Sequence, residues 1–577
     1  MYLRTTVRHN ADGSDVRYYQ LAENVWDSDK RCAVARVVYN FGRADGLDEQ
    51  ALRRLAASIL RVLPDSSEPA AGSPGHDDID QRGSRPYGAV HALRSIWQEL
   101  GIDKVIDSQL RSKRRKQPLE LALFAMVANR CLEPYSKLHC FEHWLRRKVF
   151  VPGADKLTLQ HLYLAMDLLE QHKTEVEKAV YFSTADLMNA DVDLIFYDTT
   201  SLHFEIDEED EEVLDRFERD YKPLRKRGHS KNGRDDAPQI VVGLAVTRDG
   251  LPVRSWVMPG NTSDVTTVEM VKKDLKGWKL GRCVFVGDAG MNSEENRRKL
   301  ALGHGKYILA TKMRGGDEVT DQVLTRPGRY HTVRDNLRVK EVVVGDGERR
   351  RRYVLCHNPD EAKRQAIHRQ KLLDQVQLEL STMRMSADGH TKRMCELLTS
   401  KRVGRYLREA TGGLVVDWKA VRREEHYDGK WVITSNDDTL SAEDLALGYK
   451  QLMRVEHCWR QLKTGLRMRP VYHWRPWRIE AHVTISVLAL LLERVAEIRT
   501  GQPWRHVREH LETIQVTEYD RGQSRILQTT RAQIEPASLL LRLKVPMPPK
   551  IHSIKQIDKD EATDRVEFDE EQAAAAT

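Results

Sequence analysis

Short apolar runs that end in polar turns predict the strands in the middle of this chain. They are DLIFYD (193–198), QIVVGLAVTRDGLPVRSWVM (239–258), RCVFVGDAG (282–290) and KYILATKM (306–313). Such runs, rich in β-branched and aromatic residues, are typical of buried strands. The amphipathic stretch TTVEMVKKDLKGW between two of them predicts a helix. The order of these segments predicts an α/β fold built on a mixed sheet.

The flanking regions have other patterns and are interpreted as further domains. The first residues alternate polar and apolar positions in short runs that predict a hairpin, followed by the helical stretch LDEQALRRLAASILRVL. A later helical block carries the basic clusters RSKRRK and LRRKV, so it is either DNA-binding or a bundle with a solvated basic face. The predicted boundaries are 1–65 for hairpin and helix, 66–88 for a Gly-, Pro- and Ser-rich linker, 89–190 for the helical block, 191–313 for the first part of the sheet domain, 314–436 for a β-rich insertion, 437–500 for the helices that complete the domain, 501–555 for a C-terminal region and 556–577 for a disordered acidic tail.

Two of the predicted strands run directly into an aspartate. Asp198 follows the run Leu194 to Tyr197, and Asp288 follows CVFVG and precedes the turn residues Ala-Gly. If the two strands are neighbours, both carboxylates meet at one edge of the sheet, where sites of open α/β sheets usually lie. The alternative for each residue alone is that it caps a turn or helix.

A third acid lies in the stretch SAEDLALGYKQLMRVEHCWRQLKTGLRMRP, residues 441–470. A capping box at its start and a proline at its end predict one long helix. Tyr449, Glu456 and Lys463 are spaced by seven residues and share one stripe with apolar neighbours, which predicts that Glu456 faces the core. The alternative is an internal salt bridge from Glu456 to Arg460 or Lys463.

Three acids of this kind suit phosphodiester chemistry. Cleaving or joining such a bond needs an activated oxygen nucleophile and charge stabilisation on the leaving oxygen, which two Mg²⁺ ions about 3.5–4 Å apart supply. Hard cations require oxygen ligands, so Asp198, Asp288 and Glu456 are candidate metal ligands. Lys463 is a candidate phosphate contact, and Tyr449 is a candidate to stack on a base or pack against it.

Composition narrows the class of protein. The chain has 93 Lys and Arg against 86 Asp and Glu, a net charge of +7, which permits nucleic-acid binding without demonstrating it. Its seven cysteines form no C-x-x-C pair, which argues against a zinc module or disulfide framework and fits a reducing cytoplasm. The longest apolar stretch, VLALLL, is too short for a bilayer, so we expect no membrane anchor. The absence of a G-x-x-x-x-G-K-[ST] motif disfavours a P-loop ATPase.

Four motifs in residues 190–500 resemble those of DDE transposases of bacterial insertion sequences, specifically the insertion-sequence-four-like group. They are YDTTSLHFE, the segment from GHSKNGRDDAPQ to PGNTSD, VFVGDAGMNSEEN, and the stretch from Tyr449 to RPVYHWRPWRIEAHV. The helix of that group carries Y-x2-R-x3-E-x6-K, onto which Tyr449, Glu456 and Lys463 fall, whereas Leu452 occupies the arginine position. Arg460 lies one turn after Glu456 and is a candidate substitute for that arginine.

The resemblance implies an RNase H-like catalytic core, a mixed sheet flanked by helices, with a β-rich insertion and a helical N-terminal DNA-binding region. It implies two divalent ions, Mg²⁺ or Mn²⁺, held by Asp198, Asp288 and Glu456. The implied partners are double-stranded DNA, as transposon-end inverted repeats and target, and a second copy of the chain in a synaptic complex. The implied location is the cytoplasm, in association with the nucleoid.

The candidate DNA contacts are Tyr449, Arg460, Lys463, Lys231 and Trp459. Lys231 lies in the GHSKNGRDDAPQ segment, where the alternative is a solvated loop, and core packing is the alternative for Trp459. Two rival functions share most of these features. One is a DNA-binding protein derived from a transposase that no longer cuts, and the other is a metal-dependent nuclease without strand transfer.

Overall fold

A computed structural model describes most of the chain, which divides into two compact units, Met1–Asp80 and Gln81–Thr577. The described residues are 2–9, 15–27, 32–43, 79–112, 117–188, 193–214, 220–231, 233–278, 283–314, 318–347, 350–382, 391–410 and 413–557. Within this part of the chain, no helix is long and apolar enough to cross a membrane. The predicted acidic tail lies outside it from residue 558 onward.

The N-terminal unit contains a three-stranded antiparallel sheet. Its strands are β1 (Tyr2–His9), β2 (Asp15–Asp27) and β3 (Cys32–Arg43), with β2 in the middle. The predicted hairpin therefore gains a third strand. The helix predicted over 47–63 and the linker residues 66–78 lie outside the described residues.

Residues 79–86 form a strand, although the sequence predicted a linker there. β4 (Ile79–Pro86) is the edge of a four-stranded sheet that continues through β18 (Gln515–Arg521), β19 (Ser524–Thr529) and β20 (Ile551–Gln556). Arg82 Nε donates to Asp520 Oδ2 at 2.7 Å, and Ser84 Oγ donates to Gln515 Oε1 at 2.6 Å. Pairing with a distant strand, rather than a local apolar pattern, therefore makes this segment extended.

Most of the described residues in the block 89–190 are helical. Its helices are α1 (Gly88–Glu99), α2 (Ile102–Ser112), α3 (Leu119–Leu132), α4 (Lys137–His139, continued by π-helical turns over Cys140–Lys148), α5 (Leu159–Gln171) and α6 (Lys173–Met188). Their buried residues share one hydrophobic core with the sheet and with the later helices, so the block is packed into the main unit.

The main unit is organised on a nine-stranded mixed sheet in the order β12-β13-β14-β17-β11-β10-β5-β8-β9. β10 runs parallel to its neighbours β5 and β11, and the other neighbouring pairs are antiparallel. The strands between β4 and β18 are β5 (Leu194–His203), β6 (Val213–Leu214), β7 (Asp220–Tyr221), β8 (Gln239–Val246), β9 (Pro252–Pro259), β10 (Val284–Gly287), β11 (Lys306–Thr311), β12 (His331–Arg334), β13 (Leu337–Val344), β14 (Arg351–His357), β15 (Leu407–Ala410), β16 (Gly413–Val416) and β17 (Lys430–Ser435). Of these, β6 with β7 and β15 with β16 form two short hairpins outside this sheet.

The helices that come after α6 in the chain include members that pack on each face of the sheet. They are α7 (Asp264–Lys276), α8 (Glu294–Ala301), α9 (Pro359–Thr382), α10 (Lys392–Thr399), α11 (Trp418–Glu425), α12 (Ala442–Lys450), α13 (Met453–Arg460), α14 (Pro476–Thr500), α15 (Trp504–Leu511) and α16 (Ile534–Arg542). α14 starts with proline, ends before Gly501 in the left-handed conformation and is buried along most of its length. The mixed α/β fold predicted from the strand and helix patterns is confirmed.

The region predicted as a separate β-rich insertion contributes instead to the main sheet. β12, β13, β14 and β17 extend the sheet beyond β11 without interruption. The remainder of the region, α9 to α11 with the β15–β16 hairpin, packs around a small core of its own that includes Leu373, Leu397 and Tyr406. The sheet and this appendage therefore divide the inserted residues between them.

Strand alternation assigns the side chains of β5 to opposite faces. Leu194 and Phe196 belong to the core shared with α12 and α13, whereas Ile195 and Tyr197 belong to the core shared with α7. Successive strand side chains point to opposite faces. By this alternation Asp198 is on the α12 and α13 face, and Thr199 is on the α7 face.

Candidate active site

Asp198 lies inside β5 rather than at its end. The sequence predicted that the strand leaves the core at Asp198, but β5 continues to His203, because Thr199 to Leu202 are buried and pair with β8. On its other side, β10 stops at Gly287 and leaves a notch in the sheet. Asp198 is therefore held by one neighbouring strand and open toward the end of the other.

Asp288 follows β10 and falls into that notch. β5 and β10 are parallel neighbours, which was the condition for the two carboxylates to meet, and they pair Leu194 with Val284. This offset, 284 − 194 = 90, equals 288 − 198, so the register carried past the end of β10 places Asp288 beside Asp198. The capping role that was the alternative is also present, since the Asp288 carboxylate accepts a hydrogen bond from the Ala289 N–H.

The single helix predicted over 441–470 is broken. α12 ends at Lys450 and α13 begins at Met453, so the prediction of one continuous helix is wrong. In the break, the N–H of Leu452 donates to the carbonyl of Tyr449 at 2.8 Å, the tighter spacing of a 3₁₀ turn. Leu452, which stands where the resembling group has arginine, is buried in the core.

Glu456 lies in the first turn of α13 and is exposed, whereas the sequence predicted it on a buried stripe. Val455, Cys458 and Trp459 are the buried residues of α13. The turn before α13 changes the phase of the helix, so the seven-residue spacing no longer predicts a common face. A carboxylate in the first turn is also favoured there by the helix dipole.

The Tyr449 phenol is subject to the negative charges of all three acids. Its phenol pKa is raised above the ordinary range, first by burial and then by the negative charges of Asp288, Glu456 and Asp198. All three carboxylates therefore act on one half-buried side chain.

Lys463 reaches the same region through π-helical turns over Gln461–Gly465. Its pKa is lowered by burial first and then by the charge of Arg469, while Asp198 acts in the opposite direction and Lys231 adds to the lowering. The acidic centre thus has cations on one side.

Trp459 and Arg460 differ sharply in accessibility. Trp459 is 5% exposed and packs in the core, so the prediction that it contacts DNA is wrong and the core alternative is right. Arg460 is exposed at the end of α13. It is available to a large anionic partner in a way that Trp459 is not.

Lys231 joins Asp198 to an acid that the sequence analysis missed. Lys231 Nζ lies 3.7 Å from Asp198 Oδ1 and 2.9 Å from Asp264 Oδ2. It also donates to the Thr199 hydroxyl at 2.6 Å and to the Thr199 carbonyl at 2.9 Å. The Thr199 hydroxyl in turn donates to Asp264 Oδ1. Asp264 starts α7 in the motif PGNTSD.

Close packing of two loops fixes Lys231. A Cβ on Gly260 would lie 2.1 Å from the carbonyl oxygens of Gln239 and Lys226, so only glycine fits there. The buried amide of Gln239 donates to the carbonyls of His229 and Gly260, both at 3.1 Å. These contacts join the loop that carries Lys231 to the turn at Gly260.

The pKa of Asp198 is raised to about 6. Burial is the largest cause, Lys231 and the Thr199 N–H oppose it, and the charges of Asp288 and Asp264 raise it further. Like charges collected beside a partly buried carboxylate create a site that a divalent cation would relieve.

The donor set fits a hard cation. Asp198, Asp288 and Glu456 offer only oxygen ligands, which suit Mg²⁺ or Mn²⁺. Among the described residues, however, no group of three or more His, Cys, Asp or Glu is close enough to hold a metal ion. The acids share a region without forming a closed cage.

Two family models match parts of this chain. A family model described as "Transposase DDE domain" matches residues 213–492, a stretch that includes Asp264, Asp288 and Glu456 and begins after Asp198. A model described as "IS1634 family transposase, N-terminal domain" matches residues 3–70. No curated protein matches the chain.

Among solved structures, the chain is similar to one titled "Cryo-EM structure of piggyBac transposase synaptic complex with hairpin DNA". The sequences are 10% identical, the match covers 74% of this chain and 82% of that one, and the TM-score is 0.34.

The insertion-sequence-four-like group is not confirmed, because the N-terminal match is to the IS1634 family. The two family-model matches together support an insertion-sequence transposase.

Proposed function

We propose that the protein is a metal-dependent DNA transposase that cleaves the ends of an insertion sequence and joins the 3′-hydroxyls to target DNA. The observation that carries the proposal is the register of the parallel neighbours β5 and β10, whose offset of 90 residues equals the separation of Asp198 and Asp288. The match to the transposase DDE domain supports it, since such domains generally use divalent metal ions.

In this proposal Asp198, Asp288 and Glu456 hold two Mg²⁺ or Mn²⁺ ions. When bound, these ions activate the attacking oxygen and stabilise the leaving oxygen. Lys463 and Arg460 bind backbone phosphates. Arg460 takes the role of the arginine of the resembling group, because this chain has the buried Leu452 at that position. Tyr449 packs against the bound strand. The partners are transposon-end inverted repeats, target DNA and a second copy of the chain, as in the insertion-sequence-four-like group.

The test is DNA cleavage by Asp288→Asn and Glu456→Gln variants of the full chain. Both should retain affinity for an end-containing duplex and lose Mg²⁺-dependent nicking by about 1,000-fold or more. Glu443→Gln is the matched control, because Glu443 is an exposed carboxylate on the adjacent α12. Unchanged nicking in either variant would contradict the proposal.

The products separate strand transfer from hydrolysis alone. With a supercoiled target present, the proposed transposase joins labelled 3′ ends covalently to the target. A metal-dependent nuclease would release nicked ends only. Binding without nicking under any divalent ion would identify a DNA-binding protein that no longer cuts.

A further inference from the structure

Thr199 and Asp264 engage the Lys231 ammonium. It donates to the Thr199 hydroxyl at 2.6 Å and to the Thr199 carbonyl at 2.9 Å. It also forms an ion pair with Asp264 Oδ2 at 2.9 Å. Asp198 Oδ1, at 3.7 Å, feels the positive charge without receiving a hydrogen bond.

Asp264 is correspondingly engaged through both carboxylate oxygens. Its Oδ1 accepts a hydrogen bond from the Thr199 hydroxyl, and its Oδ2 forms an ion pair with Lys231. Thr199 follows Asp198 on β5 and is on the opposite face of the sheet, so this network lies on the α7 side. Asp264 is therefore poorly placed to act as a further metal ligand, since binding a cation would cost it the hydrogen bond and the ion pair.

We propose that Asp264 is a positioning residue of the metal site, holding the Lys231 ammonium with Thr199 so that Asp198 keeps its carboxylate oxygens for a divalent cation. This inference rests on the proposed function, because it takes Asp198 as a metal ligand. A lysine is a compact charge on a flexible stem. Without Asp264, the nearest remaining carboxylate for Lys231 is Asp198, and a direct ion pair there competes with the metal.

The test is Mn²⁺ binding to the full-length protein without DNA, measured by calorimetry. Asp264→Asn should weaken binding by about 10-fold, the range for residues that orient metal ligands. Lys231→Met removes the competitor and should tighten binding, by between about 1.5- and 5-fold. The double variant should bind as tightly as Lys231→Met, within about twofold.

The double variant decides the issue. A residue that binds the metal itself, or only supports the fold, weakens binding whether or not Lys231 is present. Equal weakening by Asp264→Asn in both backgrounds would therefore overturn the proposal, as would weaker binding by Lys231→Met alone. Lys299→Met is the matched control, because Lys299 also pairs with two carboxylates, Glu269 and Glu295, and should leave Mn²⁺ affinity unchanged.

Thr199→Val keeps the test informative if Asp264→Asn unfolds. It removes the hydroxyl between Lys231 and Asp264 while keeping a β-branched strand residue, and should weaken Mn²⁺ binding in the same direction. Unchanged affinity in this variant would count against the proposal. A wild-type chain that binds Mn²⁺ through Asp198 but cuts no DNA would refute the proposed function while the inference stands. A chain that cuts DNA but is insensitive to the Asp264 and Thr199 changes would refute the inference alone.

Discussion

The two sides of the candidate site are built by different means. On the sheet side, the pairing of β5 with β10 and β8 sets Asp198 and Asp288 by register, and glycine contacts fix the loop that carries Lys231. On the helix side, Glu456 stands exposed on the eight-residue helix α13, after a break. A one-residue shift in strand register would turn every side chain to the opposite face, so the register is fixed, whereas a short helix after a turn can shift. Under the proposed function, the sheet side is pre-organised and the helix side closes around the metal ions.

The largest expected effect comes from a substitution that disrupts the loop packing on the sheet side. Gly260→Ala should lower the free energy of unfolding by about 3 kcal/mol, because the new methyl group meets two backbone carbonyls that cannot move independently. Urea denaturation measures the change. Gly83→Ala is the control, since a Cβ there meets nothing within 4 Å and should change stability little.

Exchanging carboxylate lengths on the two sides sharpens the comparison. Asp198→Glu should reduce DNA nicking by about 100-fold, because a register-fixed strand cannot absorb an extra methylene of about 1 Å. Glu456→Asp should cost only about 10-fold, since α13 can approach the metal ions. Single-turnover nicking rates with saturating Mg²⁺ measure both. A larger loss from Glu456→Asp than from Asp198→Glu would reverse the assignment of the rigid side.

The pH dependence of stability isolates Asp198. Its folded pKa of about 6 lies above the unfolded value of about 3.9, so the folded state retains a proton that the unfolded state has lost between these values. Stability from this group is therefore lost as pH rises from about 4 to 6, by about 2 kcal/mol. Denaturation of metal-free wild type and Asp198→Asn, compared at pH 4 and pH 7, should show that the variant lacks this loss. Parallel pH curves for the two proteins would contradict it.

The smallest expected effect concerns the outer surface of the helix side. Arg460→Ala should weaken DNA binding and lower the slope of log affinity against log salt by about 1, as expected for one phosphate contact. The neighbouring Trp459→Phe should leave that slope unchanged, because the residue is buried. Fluorescence anisotropy over a salt series measures both slopes. An equal change in the two variants would remove the distinction between exposed and buried residues of α13.

The accuracy of the sequence analysis follows the same division. The runs around Asp198 and Asp288 predicted buried strands, and these strands are present and are neighbours in the sheet. The predictions that Glu456 faces the core, that Trp459 contacts DNA and that residues 79–86 belong to a linker were wrong. A seven-residue spacing assumes an unbroken helix, and the turn at Leu452 violates that assumption through bonds the spacing does not encode. Asp264 was missed because it lies before the predicted helix TTVEMVKKDLKGW and follows no apolar run of the kind that marked Asp198 and Asp288.

The sequence by itself determined which segments are strands, which acids end or interrupt them, and the chemistry that oxygen donors can support. These properties are local, since they depend on apolar runs, turn residues and side-chain types. The tertiary structure alone decided where β10 ends beside Asp198, which face of α13 is buried after the turn at Leu452, and the ion pair between Asp264 and Lys231. Each of these depends on which distant segments pack together, and the free energy of packing can override a local periodicity.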